Sequence, residues 1–316
     1  MSNWVHFHRV LLPTAALLLG AGCAPRAVPP ETEPDAAGRR VEHAAAPPAL
    51  AAHDASAAAA HALFPSEFQL TSMQGTAYRP HVPGNTREGL DAALEQGIRF
   101  VEVDLRLTRD GELVTTHGRG LNECGILREI SAQQARDCRL AEGRSLATLT
   151  DVLERGFRAI YLDLKDTSAT DEATVLEAIT AAADAVVRKG RRHDVVLMTY
   201  AAPAPAVQLI RSRGLRAGLK GYPKRVDETD AMVRQAAELG FELVSVNADA
   251  VSQESILAAA KRGVWMLPWS LKPAHPTQWR DLAAAGAGGL IVMRWQQAEG
   301  TAVPAWRDVR TLLEES

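Results

Sequence analysis

Glu102 and Asp104 stand two residues apart in an apolar run, Phe100-Val101-Glu102-Val103-Asp104-Leu105. In an extended chain alternate side chains share a face, so the two carboxylates project together and the valines project oppositely. Two carboxylates aimed at an interior are costly unless cationic charge neutralises them. A hard divalent cation with oxygen ligands does so. The alternatives are ion pairs with Arg99 or Arg106, or an exposed face. Asp163 and Lys165 repeat the spacing in Ile160-Tyr161-Leu162-Asp163-Leu164-Lys165. These two can simply pair with each other. Equally, Asp163 can complete a three-carboxylate metal site, leaving Lys165 to supply positive charge to a phosphate oxygen.

A histidine joins the acids through a turn. Leu107-Thr108-Arg109-Asp110-Gly111-Glu112-Leu113-Val114 places Asp-Gly between two apolar stretches, a strong tight-turn signal. The chain doubles back there and brings His117 beside the end of the strand that carries Asp104. A histidine delivered onto an acidic pair is suited to general acid or base work.

The elements that must position these groups follow an alternating pattern. Strands are expected over Phe68–Gln74, Phe100–Leu107, Ile160–Leu164, Val195–Tyr200, Leu215–Leu219, Leu243–Val246, Val264–Leu267 and Leu290–Met293. Helical segments lie between them at Thr86–Gln96, Asp171–Lys189, Asp227–Leu239 and Ser252–Arg262. Each of these helices runs into a glycine, at 97, 190, 240 and 263, the favoured residue just past a helix C-terminus. Eight strands alternating with helices, in about 250 residues, predict a closed (βα)8 TIM barrel of class α/β over residues 64–316. Lys220, Tyr222, Asn247 and Trp269 fall near predicted strand ends, where a barrel keeps its pocket.

The chain ahead of the barrel has another texture. Arg9, the apolar run Val10 to Leu19 and the small residues Gly20-Ala21-Gly22 before Cys23 describe a secretory signal over residues 1–22. That run is too short to span a bilayer, which takes about 20 apolar residues. Cys23 after small residues resembles the bacterial lipobox, with Gly20 where that motif usually has Leu. The expectation is an exported, membrane-anchored bacterial lipoprotein facing the periplasm or the cell exterior; ordinary cleavage near Ala24 or an uncleaved anchor are the alternatives. Residues 23–63 are rich in Ala and Pro and read as a disordered tether. With Cys23 lipidated, Cys124 and Cys138 remain as a disulfide pair for an oxidising compartment, or as two unpaired thiols. Their spacing lacks any C-x-x-C and speaks against zinc. A net charge of -3 gives no electrostatic footprint for nucleic acid.

Several blocks together resemble one family. Glu102-Val103-Asp104, Thr108-Arg109-Asp110-Gly111 and Thr116-His117 are similar to the E-x-D…T-x-D-G…H block of glycerophosphodiester phosphodiesterases. Pro83-Gly84-Asn85-Thr86 resembles their P-E-N-T, Ser145-Leu146-Ala147-Thr148-Leu149 to Leu153 their PTLEEVL helix start, and Asp163-Leu164-Lys165 their E-x-K. Trp269 and Gly286 to Val292 resemble the seventh-strand Trp and the G-x-x-G-I-I-T-D of strand eight. The Asp-x-Lys form, His117-Gly118 and the nearby cysteine pair are also similar to the sphingomyelinase D branch. The resemblance implies a barrel of the PI-phospholipase-C-like type that cleaves a glycerophosphodiester or a lysophospholipid-type diester. It implies a Mg or Ca ion on Glu102, Asp104 and Asp163, His117 as catalytic acid/base, and Lys165 on the phosphate. From their places near strand ends, Lys220 and Trp269 are expected as further substrate contacts, with ordinary packing at the barrel mouth as the alternative.

The chain departs from that pattern at the first strand. Ser72-Met73-Gln74-Gly75-Thr76 puts Met73 and Gln74 where family members carry a catalytic His and a phosphate-binding Arg. His81 and Arg79, in Tyr78-Arg79-Pro80-His81, are the candidates to replace them. Met293-Arg294 stands in place of the strand-eight T-D. The second reading is therefore a degenerate barrel that binds metal and phosphodiester without turnover. A glycosidase with paired acids is a third, which the lysine and histidine give no reason to prefer.

Overall fold

The computed structural model describes residues 69–75, 83–121, 124–138, 140, 144–168, 171–200, 204–270 and 281–292. The signal segment, Cys23, the tether, Arg79, His81 and Met293-Arg294 lie outside the described residues. Ten strands form one sheet: β1 Gln69–Ser72, β2 Phe100–Leu107, β3 Leu113–Thr115, β4 Ala159–Leu164, β5 Val195–Thr199, β6 Arg216–Lys220, β7 Leu243–Ser245, β8 Trp265–Met266, β9 Trp269–Ser270 and β10 Gly289–Val292. The helices are α1 Arg87–Glu95, α2 Ala132–Asp137, α3 Leu149–Leu153, α4 Glu172–Arg188, α5 Ala204–Ser212, α6 Val226–Leu239 and α7 Gln253–Lys261.

Parallel pairing runs from β1 through β2, β4, β5, β6 and β7 to β8, while β9 pairs with β10 and β10 returns to β1. β8 and β9 are two pieces of one strand interrupted at Leu267-Pro268. Proline has no N–H to give a ladder, so pairing breaks there. The Pro268 carbonyl still accepts from Ile291 N at 2.8 Å, and Asn247 bridges Trp269. Counting β8 and β9 as one, eight parallel strands close into the expected barrel. The seventh strand thus reaches past the expected Leu267 to carry Trp269. α5 had no strong sequence signal; Pro205 in its first turn is tolerated because that N–H lacks an intrahelical partner anyway.

Alternation on β2 separates two cores. Val101, Val103, Leu105 and Leu107 point outward into the large layer between strands and helices. Inside the ring, Ala159, Tyr161, Val196, Met198, Leu243, Leu267, Trp269 and Ile291 form a second apolar cluster. Tyr161, fully buried, donates its hydroxyl to Gln69 Oε1 at 2.9 Å. Ala159 and Tyr161 of this cluster precede Asp163 on β4, so the charged groups stand beyond an apolar floor toward the C-terminal ends of the strands. β3 folds back antiparallel on β2 around Asp110-Gly111. Thr108 N donates to Glu112 O at 2.8 Å, and Gly111 adopts φ 79°, which only glycine takes freely. Beyond β3, Cys124 and Cys138 are joined by a disulfide, with Cα atoms 5.9 Å apart.

Candidate active site

Parallel register sets Asp104 directly opposite Asp163 on β4, and Glu102 opposite Tyr161. All three acids face the ring interior and are buried. One oxygen from each of Glu102, Asp104 and Asp163 lies within 4.8 Å of the others. The ion pairs with Arg99 or Arg106 do not form. Arg99 is exposed, and Arg106 turns to Asp166 at 3.0 Å and to the His117 carbonyl at 3.0 Å.

Two lysines and one glutamine bridge the acids. Lys165, just beyond β4, reaches Asp163 Oδ2 at 2.7 Å and Asp104 Oδ1 at 2.9 Å. Lys220, the last residue of β6, reaches Glu102 Oε1 at 2.9 Å and also contacts Asp163 Oδ2. Gln74 donates its backbone N–H to Glu102 Oε2 at 3.0 Å and its side-chain amide to Asp104 Oδ2 at 2.9 Å. Each edge of the acid triangle is therefore spanned by one donor group. Asn85 adds a bond from Nδ2 to Asp104 Oδ2 at 2.9 Å and accepts from Asp104 N at 3.2 Å. Gln74 and Asn85, at φ 60° and 57°, are the two non-glycine residues with positive φ among the described residues. Both hold Asp104. Such backbone strain persists only where surrounding contacts enforce it.

The charges tune one another. Burial pushes Glu102 up to about 7, against the pull of Lys220 and with help from Asp104. Burial also acts to raise Asp163, but Lys220 and Lys165 outweigh it and hold that carboxyl down at about 2. Both lysines are raised: burial opposes their charge, and the acids overcome it. Asp163 is thus a fixed anion, and Glu102 is the acid that yields a proton site. Asp163 Oδ1 is buried and has no hydrogen-bond partner among the described residues. With three carboxylate oxygens converging, that orphaned acceptor fits a hard cation.

Above the acids lies an aromatic rim. Tyr200 donates to Asp163 Oδ2 at 2.8 Å and shares a 3.0 Å hydroxyl contact with Tyr222. The two rings stack at 5.5 Å, and Tyr222 meets Trp269 edge-on at 5.2 Å. Trp269 is buried, yet its Nε1–H has no acceptor among the described residues. His117 stands on the exposed rim, carried there by β3 and by the bond from Thr116 N to Asp104 O at 3.0 Å. Partial burial of the ring lowers its pKa below 6.5, against the charge of Asp104. Met73 packs against the interior apolar cluster. Tyr200 escaped the sequence reading. Its signal was weak: a lone tyrosine one residue beyond a strand, at the end where barrels keep their sites.

The family model described as Glycerophosphoryl diester phosphodiesterase family matches residues 75–294. The chain belongs to that family. A curated glycerophosphodiester phosphodiesterase family relative, "Probable glycerophosphodiester phosphodiesterase 2" of Mycobacterium tuberculosis, is 31% identical over 95 residues. That match covers 28% of this chain and 36% of the relative, just over a third of its length. Among solved structures, a glycerophosphodiester phosphodiesterase from Parabacteroides distasonis is similar with TM-score 0.61 and 15% identity, over 79% of this chain and 99% of its own. An Oleispira antarctica phosphodiesterase, in complex with the product sn-glycerol-3-phosphate, is similar with TM-score 0.58 and 15% identity, over 74% of this chain and 94% of its own. At such identities the structural likeness shows the glycerophosphodiester phosphodiesterase family's barrel fold.

Proposed function

We propose that the chain is a phosphoric diester hydrolase that cleaves glycerophosphodiesters, with lysophospholipid-type diesters as a second substrate class. The observation that carries this reading is the buried Glu102-Asp104-Asp163 triangle with Lys165 on its edge at the barrel mouth, in a chain of this family. The Oleispira relative's complex with sn-glycerol-3-phosphate supports a small phosphodiester as substrate. Glu102, Asp104 and Asp163 would hold a Mg or Ca ion, whose role when bound is to polarise the phosphoryl oxygens. Lys165 supplies a second positive charge to those oxygens, with the Tyr200 hydroxyl to hold it in place beside the acids. The free Nε1–H of Trp269 donates to an acceptor on the substrate, and Tyr222 covers it from the side. His117 protonates the leaving oxygen; Asp104 favours the imidazolium that this step needs.

One observation favours the second reading, a barrel that binds without turnover. Met73 and Gln74 stand in the slots of the family's catalytic His and phosphate-binding Arg, and Gln74 spends its amide on Asp104. The test is an assay of the purified chain on glycerophosphocholine and lysophosphatidylcholine with Mg, Ca, Mn or EDTA, following release of sn-glycerol-3-phosphate or its acylated counterpart. Turnover that collapses in His117→Ala supports hydrolysis. Metal binding without turnover, with activity appearing in Met73→His, supports the binding barrel. No metal uptake and no turnover would end both.

We also propose export and anchoring through a lipidated Cys23. The signal pattern of residues 1–22 supports it, as does the Cys124–Cys138 disulfide, a bond that persists in oxidising compartments. Mass spectrometry of membrane fractions from cells expressing wild type and Cys23→Ser tests it.

A further inference from the structure

Four of the six carboxylate oxygens in the triangle already receive an N–H or O–H donor, and a fifth is ion-paired with an ammonium. Glu102 Oε1 takes Lys220, and Glu102 Oε2 takes the Gln74 backbone. Asp104 Oδ1 takes Lys165, and Oδ2 takes Gln74 and Asn85. Asp163 Oδ2 takes Lys165, Lys220 and Tyr200, which leaves only Asp163 Oδ1. A divalent cation bound by one oxygen from each acid would share this small space with two ammonium groups. Like charges at such range repel strongly in a buried site.

The two lysines are not equivalent. Lys165 has a third partner in the Tyr200 hydroxyl at 2.8 Å, and its ammonium lies 5.3 Å from that ring's centre. It has somewhere to remain when the acids turn elsewhere. Among the described residues Lys220 is bonded to Glu102 and Asp163 alone, and it comes from β6, across the mouth from the strands that bear the acids. Its side chain is 5% exposed, so it is committed to this one place. Resting on the metal reading above, we propose that Lys220 is a resident counter-ion that bridges Glu102 and Asp163 while no divalent cation is bound, and that it must withdraw before one can bind there. Lys220 is thus a competitor for the metal locus, not a phosphate ligand in the resting state. The acid triangle stays neutralised and folded without metal. The apparent metal affinity is reduced by the fraction of molecules in which Lys220 has withdrawn.

The experiment is titration calorimetry of Ca or Mn alone into the full mature chain after EDTA treatment, comparing wild type, Lys220→Met and Lys220→Met/Asp163→Asn. The expected result is single-site uptake that tightens at least tenfold in Lys220→Met and disappears in the double variant. In parallel, acylation of wild-type lysines read by mass spectrometry should find Lys220 protected in EDTA and reactive in saturating Ca. Unchanged or weaker affinity in Lys220→Met, or no uptake by either protein, overturns the proposal. Should Lys220→Met fail to fold, the wild-type labelling decides, and equal protection with and without Ca overturns it. Diesterase turnover is scored separately. Expected affinities without turnover refute only the hydrolase reading, whereas turnover with unshifted affinities refutes only the role of Lys220.

Discussion

Replacing Lys165 by methionine removes one ammonium from the acid triangle while keeping most of the side chain's bulk. The wild-type group sits 2.9 Å from Asp104 Oδ1 and 2.7 Å from Asp163 Oδ2, with a side chain 7% exposed. Without it, three carboxylates face only Lys220. Removing one partner of a buried ion pair costs about 3–5 kcal/mol, because the remaining charge stays uncompensated. The upper part of that range is favoured, since two acids lose the same partner. In a domain of this size each 1 kcal/mol shifts Tm by roughly 2–4 °C. The expected loss is therefore about 6–20 °C, measured by circular dichroism or calorimetry in EDTA. A double-mutant cycle with Asp163→Asn should recover part of the loss and give a coupling of about 1–3 kcal/mol, the range for residues in one ion-pair network. A Tm within about 2 °C of wild type, or strictly additive single effects, would refute the claim that Lys165 neutralises this triangle.

Other perturbations separate the remaining parts. Asn85→Gly keeps the left-handed backbone and loses the bonds to Asp104, whereas Asn85→Ala loses both. Urea midpoints should rank wild type above Gly above Ala, the last two about 1 kcal/mol apart. For pH, Asp163 is held at about 2 in the fold against 3.8 otherwise. Its contribution is present above 3.8 and is lost as pH falls toward 2. Glu102 is raised from 4.5 to about 7. The fold binds its proton more tightly, so stability declines as pH rises through that window. Denaturation across pH 3 to 8 should show that decline in wild type and not in Glu102→Gln. Cys124→Ser/Cys138→Ser opens a loop of sequence separation 14. In the chain-entropy model it should cost about 3 kcal/mol, read from urea unfolding.

The acids were legible in the sequence for a simple reason. Glu102 and Asp104 interrupt an apolar strand at period two, and Asp163 with Lys165 repeats the pattern, so their shared face followed from local geometry. β2 spans the residues the sequence predicted, and the Asp-Gly turn put β3 where the hairpin signal asked for it. Lys220 is a different case. It lies 118 residues from Glu102 and 57 from Asp163, and nothing local to β6 says which groups its ammonium meets once the ring closes. Tyr200 was hidden in the same way. Gln74 was legible as a missing arginine, but its backbone contribution to Glu102 depends on Gln74 itself taking φ 60° beside Gly75 at 59°, which a glutamine does not announce. Pro268 led the seventh strand to be ended too early, before Trp269.

The charge at the barrel mouth is completed from one strand, β6, which reaches the acids before the ring can shut through β10. A polypeptide that has assembled only through β5 carries three acids and one ammonium there, an excess that resists dehydration. Water must stay in that half-built cavity until β6 docks and brings its lysine across. The interior thereby discriminates between an assembly that lacks β6 and one that contains it, and it does so without any contact to substrate.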